Sequence, residues 1–301
     1  MFGRKIFFCS DTYKTLYCYR RDLISLVGES YDVVSGEWFS GAVLRSIISL
    51  SGSKMYISSN MRSNLLCLIL FFWKPGIVIL NGWGRYERKR ALRMAFIFLS
   101  RIGAKKTLIA QNRRDYRYLK RFGVNVEWIP GSGGTRYKRG SEKAVLLVTR
   151  DSKFECVKES VIGFYDTFKL PLLVVGCKNR LPLGESVTYA HAGYVDDISK
   201  VYIRSESFIQ PDGYGEGIAH SLVDAICSGH RIYMPKAVYV RTGIAYLVRK
   251  KALHSRVQCL DDWVVLPTFI TEKMLSEFCL KKVNQSYLQT LEVFFGGLDE
   301  R

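Results

Sequence analysis

A chain of 301 residues with 48% apolar and 13% aromatic side chains suits two domains of ordinary size or one large one, and it is too apolar to be disordered. Its charge is far from balanced: 45 Lys and Arg stand against 27 Asp and Glu, a surplus of +18 that points to nucleic acid, anionic lipid or acidic small molecules as partners. The eight cysteines include no Cys-x-x-Cys pair and sit mostly in apolar runs, which speaks against a zinc or disulfide framework and predicts buried, reduced thiols.

In chain order, the apolar start around Ile6-Phe7-Phe8 is too short for a signal peptide and reads as a first strand over 5–9. A helical pattern follows over 19–27. The most hydrophobic stretch, 65–80, is interrupted by Lys74-Pro75, whereas a bilayer span takes about 20 continuous apolar residues. A buried helix, a turn and a buried strand over 77–80 are expected there, with no transmembrane segment. A helix over 85–101, a strand over 107–110, a helix over 115–122 and a strand over 126–129 come next. Between Arg85 and Arg121 thirteen Lys or Arg face two acids, Glu87 and Asp115, with Leu92, Ala95, Phe96 and Leu99 interleaved at helical spacing. Such a basic amphipathic helix either lies on an anionic membrane surface or is a solvated face whose stripe packs in the core. Arg88, Arg93 and Lys105 are the candidates for a membrane or acceptor patch. No helix-turn-helix, zinc-finger or RNP-like motif accompanies the charge, so no nucleic-acid partner is expected.

The richest glycine and turn stretch, Pro130-Gly131-Ser132-Gly133-Gly134-Thr135-Arg136-Tyr137-Lys138, marks the natural break between domains 1–138 and 139–301. Strands over 144–148, 172–175, 207–210 and 231–234 alternate with helices over 159–168 and 218–228, and a helix pair over 270–295 closes the chain, its last helix expected to cross back to the first domain. Strands alternating with helices predict an α/β fold of two Rossmann-like domains with parallel sheets. Their carboxyl ends would face a central cleft, where ligands of this architecture bind.

The segment from Tyr214 to Gly229 (YGEGIAHSLVDAICSG) holds two acids eight residues apart, Glu216 and Asp224. If a helix starts near Ile218, they are separated by about 12 Å. That is too far to flank one bond as a carboxylate pair about 5 Å apart would, but it suits the two ends of an extended ligand. The helix start between them favours phosphate, and Gly215 and Gly217 let the backbone come close. Hydroxyls at both ends and phosphate in the middle describe a nucleotide-sugar. The plainer alternative is that Glu216 caps the helix while Asp224 lies on its polar face.

The run Phe208-Ile209-Gln210-Pro211-Asp212-Gly213-Tyr214-Gly215-Glu216-Gly217, followed by Ser221-Leu222-Val223-Asp224-Ala225 and Cys227-Ser228-Gly229, resembles the donor-binding signature of glycosyltransferase family 4. Other segments resemble the bacterial polysaccharide-assembly members in the same order: Asn81-Gly82-Trp83-Gly84-Arg85, Gln111-Asn112-Arg113-Arg114-Asp115, Trp128-Ile129-Pro130-Gly131-Ser132-Gly133, Val145-Leu146-Leu147-Val148-Thr149-Arg150 and Gly193-Tyr194-Val195-Asp196-Asp197. The resemblance implies the GT-B fold and a retaining, metal-independent hexosyltransferase without a cofactor. In this family Glu216 would contact the transferred sugar and Asp224 the ribose, with Gly215, Gly217 and Ile218 lining the donor. Arg150 would neutralise the diphosphate leaving group. The acceptor implied is a polyprenyl-diphosphate-linked saccharide of O-antigen or capsule assembly, which places the protein in the cytoplasm, peripheral on the inner face of the plasma membrane. Each Lys or Arg near an anionic leaflet adds about 1 kcal/mol of attraction.

Departures accompany the likeness. Glu155 stands where the family has its diphosphate lysine, so Lys153 or Lys158 would have to substitute, Lys153 being closer to the strand end. Asp224 is one methylene shorter than the usual Glu, and Ser10-Asp11-Thr12 stands where a glycine-rich loop is usual. The alternative function is a non-catalytic glycosyltransferase-like subunit that binds membrane or nucleic acid through its basic face.

Overall fold

The structure, a computed structural model, describes residues 5–38, 43–184, 187–214 and 217–299. β1 (Lys5–Ser10), α1 (Tyr13–Gly28), β2 (Asp32–Glu37), α2 (Val43–Ser51), β3 (Met55–Ser59), α3 (Met61–Leu70), β4 (Gly76–Leu80), α4 (Arg90–Arg101), β5 (Lys106–Ala110), α5 (Arg113–Arg121) and β6 (Val126–Trp128) alternate strictly. The six strands form a wholly parallel sheet in the order β2-β1-β3-β4-β5-β6. Side chains alternate between its faces. Phe7, Tyr56, Val78 and Leu108 share a core with residues of α2 to α5, whereas Ile6, Phe8, Ile57 and Ile79 share one with α1. Burial on both faces is why these strands read as unbroken apolar runs.

The second half contains β7 (Glu142–Val148), α6 (Asp151–Phe168), β8 (Leu172–Val175), β9 (Tyr189–Gly193), α7 (Ser199–Tyr202), β10 (Ser205–Ile209), α8 (His220–Cys227), β11 (Arg231–Pro235), α9 (Lys236–Thr242), α10 (Ile244–Lys250), β12 (Gln258–Leu260), β13 (Trp263–Leu266), α11 (Thr268–Phe278) and α12 (Leu280–Asp299). Its sheet runs β12-β13-β11-β10-β7-β8-β9. It is not wholly parallel: β13 is antiparallel to both β11 and β12. A two-residue turn at Asp261-Asp262, with Asp261 at φ 48°, returns the chain too quickly for a crossover helix. Val145, Leu147, Val157, Phe164, Val174 and Trp263 lie at the centre of a core on one face of this sheet.

Two compact units result, Met1–Ser132 with Lys281–Arg301, and Gly133–Leu280. The sequence boundary after residue 138 falls later than this division. The segment before it is bonded into the second unit, Thr135 N to Asp224 Oδ1 at 2.8 Å and Tyr137 N to Ser228 Oγ at 2.9 Å, as is Arg139 just after it, Nη1 to the Gly229 carbonyl at 2.6 Å. α12 belongs to the first unit, where Val283, Tyr287, Leu291 and Phe294 join the core of Ile6, Phe8 and Leu16. The Tyr287 hydroxyl accepts from Gln111 Nε2 at 3.1 Å and donates to the Gly131 carbonyl at 3.3 Å.

Several helix starts differ from the sequence expectation. α1 begins at Tyr13 because Thr12 caps it through Thr15 N. α4 begins at Arg90 because Gly82 and Gly84, both at positive φ, set a turn where the basic helix was expected to start. Among the cysteines, Cys9, Cys67, Cys177 and Cys227 are buried, but Cys18, Cys156 and Cys259 are exposed on outward-facing positions. Among the described residues no helix is long and apolar enough to cross a membrane.

His230, fully buried after α8, sets a pH dependence. Its Nε2 lies 3.3 Å from the Tyr202 carbonyl, and burial pushes its pKa down to about 4 from an ordinary 6.5. A depressed histidine contributes stability that is whole above pH 6.5 and is lost as the pH falls towards about 4. Melting temperatures measured across that window should decline, and His230→Gln should flatten the decline.

Candidate functional site

Open α/β sheets bind ligands outside the carboxyl ends of strands, where neighbouring strands send their connections in opposite directions. In the second unit this point lies between β7 and β10, paired through Val145 with Ser207 and Leu146 with Phe208, with β8 beyond β7 and β11 beyond β10. The pairing sets the Thr149–Asp151 corner beside the segment that follows Ile209, two stretches far apart in sequence.

Arg150 ends the β7 connection in an extended conformation (φ −135°, ψ 151°), and its side chain is exposed at the start of α6. In the first turn of α6, Lys153 Nζ donates to the Tyr214 carbonyl at 2.9 Å, and the Tyr214 hydroxyl donates to the Val148 carbonyl at 3.0 Å. Lys158 is about 7 Å farther along the helix. Of the two lysines that the sequence left open, Lys153 is thus the one tied to the loop. Glu155 points to solvent.

The loop is gripped on both sides. Asp212 N donates to Ser160 Oγ at 3.1 Å, while Asp212 Oδ1 accepts from Gly213 N at 2.7 Å and from Arg241 Nη2 at 2.8 Å. Gly213 adopts φ 105°, and a Cβ there would fall 1.8 Å from the Cys156 carbonyl oxygen, so α6 and the loop touch backbone to backbone. Gly215 and Glu216 lie outside the described residues. Gly217 and Ile218 are buried and lead into α8.

α8 starts at His220 and not near Ile218, because Ala219 is still extended (φ −67°, ψ 139°), so Asp224 lies one turn into the helix. Ala219 has no side-chain oxygen to cap the helix, so the positive end of the dipole is left to backbone N–H groups. Asp224 is only 4% exposed. Its Oδ1 accepts the Thr135 N–H at 2.8 Å and its Oδ2 lies 3.7 Å from His220 Nε2. Burial raises its pKa, and the His220 charge and the Thr135 N–H oppose the rise. The spacing of His220 and Asp224, four residues on a helix, was legible in the sequence; the Thr135 partner, 89 residues away, had no local signal. Asp224→Ala is expected to cost about 1–3 kcal/mol by orphaning that N–H. Asp224→Asn, which keeps an acceptor, should cost much less, as thermal unfolding of the two variants would show.

The corresponding place in the first unit is built differently. At the amino end of α1, Glu37 Oε2 already accepts Tyr13 N at 2.8 Å and Thr12 Oγ1 accepts Thr15 N at 3.2 Å. A carboxylate resident at a helix start repels phosphate there. The carboxyl ends of β1, β3 and β4 instead carry a chain of polar contacts: Asn81 Nδ2 to Asn60 Oδ1 at 2.7 Å, Asn60 Nδ2 to Ser10 Oγ at 2.9 Å, and buried Arg20 Nη2 to Asn81 Oδ1 at 3.2 Å.

The three basic residues singled out in the sequence do not converge. Arg88 is exposed just before α4, Arg93 packs its guanidinium 4.9 Å over the Tyr118 ring, and Lys105 Nζ lies 5.3 Å over Phe294. α4 separates Arg88 from Lys105 by about 18 Å of helix rise. Among the described residues no group of three or more His, Cys, Asp or Glu gathers that could hold a metal ion.

No protein-family model and no curated protein sequence matches the chain. Solved structures do. HepE of Anabaena, crystallised in complex with UDP, is similar over 96% of this chain and 100% of its own, with a TM-score of 0.59 and 11% identity. A glycosyltransferase from Rickettsia africae is similar over 98% of this chain and 99% of its own (TM-score 0.53, 10% identity). A putative UDP-N-acetylglucosamine 2-epimerase from Listeria monocytogenes is similar over 98% and 97% (TM-score 0.52, 9% identity). At such identities the likeness is one of fold: the chain is an α/β protein of the GT-B type, built from two Rossmann-like units.

Proposed function

We propose that this protein is a glycosyltransferase that takes a nucleoside-diphosphate sugar at the β7–β10 edge of its second unit. The observation that carries the reading is the pairing of β7 with β10, which brings Arg150, Lys153 and the gripped 212–214 loop together ahead of the uncapped start of α8. Departure of a nucleoside diphosphate builds negative charge on its oxygens. Fixed cations and helix N–H groups lower that barrier without reorganising as the charge develops. In this reading Arg150 and Lys153 take the diphosphate, Glu216 the hydroxyls of the transferred sugar and Asp224 the ribose. No metal is given a role. The HepE structure with UDP and the Rickettsia glycosyltransferase support a sugar-nucleotide donor. In the same proposal, on the resemblance of the 208–229 segment alone, the transfer runs with retention onto a polyprenyl-diphosphate-linked saccharide at a cytoplasmic leaflet.

One second reading has an observation in its favour. Asp224 already serves Thr135, and Glu155 replaces the usual cation, as a binding subunit that has lost turnover would show.

The deciding experiment is a thermal-shift screen at low salt against UDP, GDP, ADP, CMP, dTDP and their sugar conjugates. A ligand present at 100 times its Kd stabilises by about 2.7 kcal/mol, a shift of several degrees for units of this size. A shift with one nucleotide, retained in Asp224→Asn less well than in the wild type, supports the donor site and identifies the base. No shift with any of them supports the second reading.

A further inference from the structure

The outer helical layer of the first unit is almost free of acid. From Trp38 to Arg114 the sequence contains a single Asp or Glu, Glu87, and that residue is paired with Arg114 at 2.7 Å. α2, α3 and α4 lie in this stretch and cover one face of the six-stranded sheet. Helices on the surface of a soluble unit normally turn polar residues outward. Here Leu44 and Ile48 on α2, Ile69 on α3 and Phe98 on α4 are exposed, as are Phe72 and Trp73 in the turn after α3. Phe98 is 63% and Trp73 56% exposed. Scattered apolar side chains need no explanation, but Ile69, Phe72 and Trp73 follow closely in sequence and Phe98 lies on the helix packed beside α3, a grouping that marks an interaction surface.

The turn that carries the two aromatic rings is fixed in place. The Phe72 carbonyl accepts Ala104 N at 3.0 Å and Lys106 Nζ at 2.8 Å, and Lys74 Nζ donates to the Ser51 carbonyl at 2.8 Å and to the Ser53 carbonyl. Gly103, at φ 74°, comes so close that a Cβ would fall 2.2 Å from the Phe72 oxygen. The rings of Phe72 and Trp73 meet edge-on at 5.3 Å. These bonds join the α2–β3, α3–β4 and α4–β5 connections at the amino edge of the sheet, so the rings project from a rigid base. Lys54, in the α2–β3 connection, and Arg101, the last residue of α4, are both exposed.

We propose that this edge inserts into an anionic lipid bilayer, with Phe72, Trp73 and Phe98 entering the boundary between headgroups and acyl chains while Lys54 and Arg101 meet lipid phosphates. Aromatic rings beside exposed Lys and Arg, in a stretch whose one acid is paired with an arginine, have the composition of an interfacial anchor. Charge selects this occupant over a second copy of the chain, since two such faces would oppose basic residues with no acid between them. The surface differs from the Arg88, Arg93 and Lys105 patch expected from sequence, because Arg93 and Lys105 are packed against rings of their own unit. It is also independent of the donor site: vesicle binding needs no nucleotide, so either reading can fail while the other stands.

The test is sedimentation of the full chain with large vesicles of phosphatidylcholine, with and without phosphatidylglycerol, at low and high salt. The wild type is expected to partition onto the anionic vesicles and to keep part of that binding at high salt. F72S/W73S should lower the partition coefficient by about tenfold or more with at most a small drop in melting temperature, since both rings are about half exposed. Lys54→Gln with Arg101→Gln should reduce the preference for phosphatidylglycerol. Equal partition of wild type and F72S/W73S would overturn the proposal. So would indifference to all vesicles, including the case where the wild type is a dimer that F72S/W73S dissociates.

Discussion

Replacing Gly213 by Ala is expected to destabilise the second unit by about 3 kcal/mol or more, a drop in melting temperature of roughly 6–12 °C. Two costs add. The residue holds φ 105°, where an L side chain is strained, and the new Cβ would fall 1.8 Å from the Cys156 carbonyl oxygen, which α6 holds in place. Relief requires the loop to leave α6. That would pull Asp212 from Ser160 and Arg241, and Tyr214 from Lys153 and Val148. Nucleotide binding should therefore fall together with stability. A variant that melts like the wild type would show that the loop does not lie against Cys156.

Glu216→Gln should have the largest effect on chemistry. The substitution keeps size and one acceptor oxygen while removing the charge, so transfer should fall by about 10²–10³-fold, the range seen when one electrostatic partner of a transition state is removed. The melting temperature and the shift produced by free nucleoside diphosphate should stay near wild type, because in the proposed arrangement Glu216 meets the sugar and not the diphosphate. Unchanged turnover would remove Glu216 from the site. A lost nucleotide shift would move it to the diphosphate end.

The two predictions differ in what made them visible. Glu216 stands out in the sequence, because an acid followed by glycine and, eight residues on, by a second acid is a local pattern. Gly213 does not. A glycine in a loop rich in glycine carries no sign of being the one whose Cβ position is occupied by another segment's carbonyl. The same limit separates Lys153 from Lys158. Both lie on α6, Lys153 the closer to the strand end, and the Tyr214 carbonyl, 61 residues away, is the non-local partner that ties Lys153 to the loop. Asp224 shows it once more: its i, i+4 neighbour His220 can be read from spacing, its Thr135 partner cannot.

Local periodicity and turn chemistry were enough to determine β1, β4, β5, β7, β8, β10 and β11 and the helix pair at the carboxyl end. Each rests on residues close in sequence, where side-chain period and backbone preference are fixed by the chain itself. The tertiary structure alone decided that β10 lies beside β7, that β13 turns antiparallel, and that the first unit closes its α1 start with Glu37. Strand order is a choice among non-local pairings of similar apolar strands, and adjacent residues do not encode it. It also decided which apolar residues face outward. α3 reads MRSNLLCLIL, apolar on every side of its second half, so Ile69 and its neighbours look like core until the helix is laid on the sheet and one side is left with nothing to cover it.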